Sequence, residues 1–319
     1  MFNKIKTPKK PIVPGAVPPL PADPVAALAS LEWVATKAVD GLLSGKHPSR
    51  HRGGNSDFAE HRGYQPGDDL RRIDWRLHAR NDRYHVRTYD DETNLRATIA
   101  VDASGSMGYR GRTASKFDVA RVAAVALARM MMRQRDAVGL AVVDQSIRLQ
   151  IPPGLRPATL HRIEKSLAEL TVDGQTNHAL TLRHLLCQTK RRGLLIFISD
   201  CFGPPRELGK GLAAWSAAGH EVIVVRVLAP EELDFDFRGP MIFESLEGPA
   251  SRIDVDAGNM RSLYLQRFND HRTGLDEVIR RSRGWQFVLR TDQSIIGTLR
   301  ECLIRRAAAA GSMSRGGTR

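Results

Sequence analysis

Between residues 95 and 306 two patterns alternate along the chain. Short runs, apolar at nearly every position, take turns with longer segments in which apolar residues recur every three to four positions. The short runs are "LRATIAV" (95–101), "AVGLAVVD" (137–144), "GLLIFISD" (193–200), "EVIVVRVL" (221–228) and "WQFVLRT" (285–291). Between and after them, "SKFDVARVAAVALARMMMRQR", "PATLHRIEKSLAEL", "NHALTLRHLLCQ", "RELGKGLAAWSAAG", "NMRSLYLQRFNDHRTGLDEVIRRS" and "SIIGTLRECLIRRAAAA" read as helices. A strand that is apolar along its whole length is buried on both faces, so it belongs to a parallel sheet with helices above and below. The expected class is α/β, a doubly wound and mostly parallel sheet. Two departures are expected: "IRLQI" (147–151) returns across "QS" as an antiparallel hairpin, and "MIFES" and "RIDV" within 230–256 are short extra strands.

An open parallel sheet binds ligands at the carboxyl ends of its strands, near the point where strand order reverses. The residues just past those ends therefore decide the chemistry. After the first strand, "VDASGSM" supplies Asp102, Ser104 and Ser106; after "GLLIFIS" comes Asp200; in "DGQTN", Thr176 opens the following helix. Three hydroxyls and two carboxylates form an all-oxygen set, which suits a hard cation such as Mg²⁺ or Mn²⁺. Gly105 is read as permitting the bend that folds both serines back. Taken singly, each residue has a plainer reading: Ser104 and Thr176 as helix caps, Asp200 as a cap for the helix after "PP".

Ahead of the alternation the chain is different. Residues 1–24 are basic and Pro-rich and read as a disordered tail. Residues 25–43 have helical periodicity, and the helix packs either on the body or on a partner. Residues 44–60 read as a loop and 61–94 as β-rich, with "WRLHA" and "YHVRTY" forming a hairpin across "RND". Pro66 and Gly67 of "QPGDD" make a turn, with Ile73 and Trp75 as anchors. The charged Asp68, Asp69, Arg71, Arg72 and Asp74 serve either as an internal ion network or as a docking face.

Several function classes are disfavoured. The net charge of +13 suggests nucleic acid, but Lys4, Lys6, Lys9, Lys10, Arg305, Arg306, Arg315 and Arg319 lie in the tails, and removing these eight leaves +5 for the body. No aromatic-and-basic reading module accompanies that charge, so no specific nucleic acid is expected. The three cysteines, Cys187, Cys201 and Cys302, have no pairing or metal-type spacing, which suits a reducing compartment. No apolar run approaches the ~18 residues of a membrane span, and the expected location is the cytoplasm. No phosphate-binding G-x-x-x-x-G-K-[ST] loop is present, so ATP hydrolysis is not expected. His178, two residues past Thr176, is a conceivable general base, with a surface histidine at a helix start as the commoner reading.

"VDASGSM", "GQT" and "ISD" resemble the metal-ion-dependent adhesion site of von Willebrand factor type A domains. There the matching positions, here Asp102, Ser104, Ser106, Thr176 and Asp200, surround Mg²⁺ or Mn²⁺. A second resemblance is longer. "DFAEHRGYQPGDDLRRIDWRLHARNDRYHVRTYDDE" (57–92) is similar to the signature of the bacterial family called domain of unknown function 58, where it precedes a type A domain. The resemblance implies a von Willebrand factor A or Rossmann-like α/β domain over 95–306, with an insertion at about 230–256, behind a helix and β-rich module at 25–94. It leaves residues 307–319 as an expected flexible basic tail. It also implies a partner, a MoxR-type AAA+ ATPase, and a role in assembling or maturing other proteins.

The expected function is that of an adaptor or co-chaperone, not an enzyme. Its metal would meet an acidic side chain of the partner or client, and Arg71, Arg72 and Asp74 would contact the ATPase. The alternatives are a metal-dependent hydrolase, for which two carboxylates are few, and a weak nucleic-acid binder acting through the tails.

Overall fold

The computed structural model describes residues 16–21, 24–44, 60–63, 78–80, 84–88, 95–247 and 252–313. Two compact units emerge, one of residues 1–45 with 95–319 and one of residues 46–94.

In the smaller unit, β1 (Glu60–Gly63) pairs antiparallel with β2 (His85–Thr88). Of the strand expected at 75–79, residues 78 and 79 are helical and residues 75–77 lie outside the described residues, while β2 pairs with β1, some twenty residues before it. The "QPGDD" turn, Ile73 and Trp75, and the proposed docking residues Arg71, Arg72 and Asp74 lie outside the described residues.

The larger unit begins with α1 (Pro24–Ser44). Its sheet strands are β3 (Arg96–Asp102), β4 (Ala137–Val143), β5 (Ile147–Gly154), β6 (Leu194–Ser199), β7 (Glu221–Leu228) and β10 (Trp285–Arg290). Their spatial order is β10-β7-β6-β3-β4-β5. All neighbours are parallel except β4 and β5, which form the expected antiparallel hairpin. From β3 the chain builds outward through β4 and β5, then returns to the other side of β3 for β6. Strand order therefore reverses between β3 and β6.

Helices cover both faces. Residues of α1, α2 (Lys116–Arg133), α3 (Pro157–Glu169) and α8 (Ile295–Met313) join one apolar core, and residues of α4 (His178–Gln188), α5 (Pro205–Ala217) and α7 (Ala257–Arg281) join the other. Central strands β4 and β6 are buried at every residue, as their unbroken apolar runs require. After the short α6 (Pro230–Asp234), β8 (Pro240–Glu244) and β9 (Arg252–Asp256) make a separate antiparallel pair, the extra strands expected from the sequence.

Three sequence boundaries move. Helix α1 belongs to the larger unit rather than to the β-rich module: Leu31, Ala35 and Val39 are in its core, and α1 lies against α2 and α3. On α2 even Asp118 and Arg121 are buried, paired with each other, and Arg121 donates to the Leu167 carbonyl at the end of α3. Part of the Pro-rich start is packed too, with Val17 and Leu20 buried and Ala16 bridged to Ser294. At the other end, α8 carries helix through residue 313, into the stretch expected to be a flexible tail.

Candidate metal centre

Asp102 is the last residue of β3 and is fully buried. Its Oδ1 accepts the Ser104 N–H at 2.9 Å. Its Oδ2 accepts the Ser199 hydroxyl at 2.6 Å and lies 2.9 Å from His178 Nε2. Burial alone would raise the Asp102 carboxyl, but the His178 contact and the Ser199 and Ser104 hydrogen bonds outweigh it and hold the group below the usual carboxylate range.

Beyond Asp102 the chain makes a single 3₁₀ turn, Gly105–Gly108. Ser104 precedes that turn without capping it, and its hydroxyl lies 3.2 Å from that of Ser106. The cap of the next long helix comes later: Ser115 and Asp118 form a reciprocal capping box at the start of α2. The hydroxyls of Ser104 and Ser106 are thus not used as helix caps.

Two backbone bonds join this loop to the one carrying Thr176. Asp173 N–H donates to Ala103 O at 3.1 Å, and Gly105 N–H donates to Gly174 O at 3.0 Å. Gly174 has a φ of +87°, a conformation that favours glycine. Thr176 does not cap α4; Asn177 does, accepting the Leu180 N–H. The Thr176 hydroxyl instead donates to Glu247 Oε1 at 3.1 Å, and the same oxygen accepts the Ser106 N–H at 3.4 Å. Gly105 is not in the left-handed region. Its lack of a side chain matters for another reason: a Cβ there would lie 1.8 Å from the Leu246 carbonyl oxygen.

Asp200 follows β6, across the strand-order reversal from Asp102. It does not cap α5. Its Oδ1 accepts the Phe202 N–H at 3.0 Å, and its Oδ2 is 2.7 Å from Lys116 Nζ. Lys116 is almost wholly buried and reaches Glu232 Oε1 at 2.6 Å as well. A carboxylate offers about four acceptor positions, and these two contacts leave Asp200 with acceptor capacity.

The structure therefore joins Asp102, Ser104, Ser106 and Thr176 in one chain of contacts, with Asp200 on the adjoining strand end and engaged by Lys116. Their oxygens are the donor type that hard divalent cations take. Three further participants were not read from sequence as site residues: Ser199, Lys116 and Glu247. His178 is not the surface histidine its place suggested. It is buried, sits edge-on to the Phe197 ring at 5.1 Å, and contacts Asp102. Cys201 is also buried, and burial is the main cause that pushes its thiol up to about 12.

Elsewhere, Glu32, His161 and Glu164 bring potential ligand atoms within 4.8 Å of one another, but Glu164 already receives Arg129 Nε at 2.7 Å. Among the described residues, no helix is long and apolar enough to cross a membrane.

The profile of the family described as protein of unknown function DUF58 matches residues 60–274. Uncharacterized proteins of Mycobacterium bovis and Mycobacterium tuberculosis are each 28% identical over 292 residues, covering 90% of this chain and 91% of theirs. Among solved structures, the conserved hypothetical protein BatB of Bacteroides thetaiotaomicron aligns with a TM-score of 0.45 at 16% identity, over 67% of this chain and 99% of that one. The SpRpn10 VWA domain aligns with a TM-score of 0.39 at 13% identity, over 64% and 94%.

Proposed function

This chain belongs to the family of proteins of unknown function DUF58, and from that premise we propose that it is a divalent-metal-dependent protein-interaction module, an adaptor rather than an enzyme. Asp102, Ser104, Ser106 and Thr176 would hold Mg²⁺ or Mn²⁺, with Asp200 acting from the neighbouring strand. The cation supplies an electrophilic centre for a carboxylate of another molecule.

The observation that carries this reading is the convergence of these oxygens at the strand-order reversal, on hydroxyls that no helix cap consumes. Asp102 is kept ionised in a buried setting, which a cation ligand requires. The donors include few carboxylates, so a bound cation would keep much of its charge for a further anionic ligand. A hydrolase running on two metals needs several carboxylates or histidines free to hold a pair of ions, whereas here His178 is engaged with Asp102 and Asp200 with Lys116.

The proposed partner is a MoxR-type AAA+ ATPase, with a client's acidic side chain as the group that meets the metal in the cytoplasm. Calorimetry with Mn²⁺ on the wild-type chain and on Asp102→Ala tests the metal. Wild-type binding that the substitution abolishes supports the reading, and equal binding, or none, overturns it. Capture of the purified ATPase with Mg²⁺ and with EDTA tests the adaptor role, and capture indifferent to both EDTA and Asp102→Ala ends it. Unchanged capture by Arg71→Glu with Arg72→Glu would remove those residues from the contact.

A further inference from the structure

The β8–β9 hairpin delivers to the candidate centre a carboxylate that none of the strand-end motifs contains. Glu247 lies three residues past β8, and one of its oxygens takes both the Thr176 hydroxyl and the Ser106 N–H. Both donors belong to residues of the proposed cation site. The segment is pressed onto the site loop: the Leu246 carbonyl occupies the space where a side chain on residue 105 would stand.

The hairpin is also fixed from behind. Phe243 on β8 stacks on Phe235 at 5.9 Å and meets Phe237 edge-on at 5.6 Å, and Phe235 stacks on Tyr264 of α7 at 4.3 Å. Packed aromatic rings thus place Glu247. Charge points the same way. Among the described residues, no Lys or Arg forms a salt bridge with Glu247, and the donors it meets across the site, the Thr176 hydroxyl and the Ser106 N–H of the Asp102 loop, are neutral. A divalent cation between them would balance that charge.

We propose that Glu247 is the site's own carboxylate ligand, holding from within the chain the place that a partner's acidic side chain would take. This rests on the metal reading above. The hairpin is then a competitor of the partner: the site is closed by its own glutamate until the hairpin lifts, and metal binding ties the hairpin down.

The test uses the full chain and Mn²⁺ alone, with affinity from calorimetry and amide hydrogen exchange over residues 240–247. Glu247→Gln removes the charge, and Glu247→Asp keeps it one methylene shorter. The expected result is Mn²⁺ affinity about tenfold to a hundredfold weaker in both variants, the range seen when groups ordering a metal site are lost. Mn²⁺ should also slow exchange across 240–247 in the wild type and leave it unchanged in both variants. Wild-type Mn²⁺ binding matched by both variants overturns the role of Glu247 and leaves the metal reading standing. No Mn²⁺ binding by the wild type overturns both.

Discussion

Lys116 Nζ lies 2.7 Å from Asp200 Oδ2, and each side chain is only 1% exposed. The same ammonium reaches Glu232, so one buried cation serves two carboxylates drawn from different parts of the chain. Removing one member of a buried charge network leaves the others uncompensated, at a cost of about 3–5 kcal/mol. Lys116→Met is therefore expected to lower stability by about that amount, read from urea unfolding. Burial alone would lower the Lys116 pKa, but Asp200 and Glu232 outweigh it and raise it above 10.5. The ammonium's contribution is then complete below 10.5 and is lost only as pH rises through the raised value. Lys116→Met should abolish that alkaline loss. A Lys116→Met cost well under about 1 kcal/mol at neutral pH would show that the network does not behave as a unit.

The sheet was readable because its strands are buried on both faces: "LLIFI" and "VIVVRVL" leave no period-two pattern that an exposed strand would need. The loops holding Asp102 and Asp200 followed from the topology, since the carboxyl ends of parallel strands share one edge, whereas Thr176 lies on a loop between two helices, α3 and α4. What stayed hidden depends on contacts distant in sequence. Glu247 is 141 residues from Ser106 and 71 from Thr176, and no local pattern encodes that approach. His178 looks like any polar residue opening a helix; its burial is made tolerable by the Asp102 carboxylate, 76 residues earlier, and by the Ser199 hydroxyl. Gly105 was read as a bend, whereas its smallness serves the hairpin above it. The pairing of β2 with β1 stayed hidden for the same reason, because alternation alone does not choose a pairing partner.

Glu164 illustrates competing charges. Burial raises its carboxyl, Arg129 lowers it, and Glu32 raises it again, leaving it above 4.5. Between 4.5 and the raised value, the folded chain keeps a proton that the unfolded chain has released, so stability falls as pH rises through that window. Glu32→Gln removes the like charge. It should flatten that slope and raise stability at neutral pH, by roughly 1.4 kcal/mol for each pKa unit restored. Urea midpoints of both proteins across the acidic range decide the matter; a variant that loses stability at neutral pH would show that Glu32 acts through packing instead.

The cysteines should separate by reactivity. Cys187 is exposed, while Cys201 and Cys302 are buried. The thiolate is the reacting form, and the Cys201 thiol is pushed up to about 12, mainly by burial. At neutral pH an aromatic disulfide reagent is expected to label Cys187 in the native chain and the other two only in denaturant. Peptide mapping assigns the sites. Native labelling of Cys201 would mean that the edge of the sheet beside Asp200 opens far more than this packing allows.

Gly105→Ala tests the seating of the hairpin without touching a candidate ligand side chain. The added carbon would lie 1.8 Å from the Leu246 carbonyl oxygen and 2.9 Å from its carbon, and neither belongs to a flexible side-chain end. Either the 3₁₀ turn or the hairpin must therefore move. The turn is held by the Gly105 N–H to Gly174 O bond and by Asp102 on its buried strand, whereas residues 245–246 are exposed. The hairpin should be the one displaced, with a modest overpacking cost of about 1–3 kcal/mol. Hydrogen exchange should quicken across 241–247 and stay unchanged in β3 and β6. Faster exchange in β3 itself would place the strain in the sheet edge, and would mean that Leu246 and Glu247 are held over the site more firmly than the strand that carries Asp102.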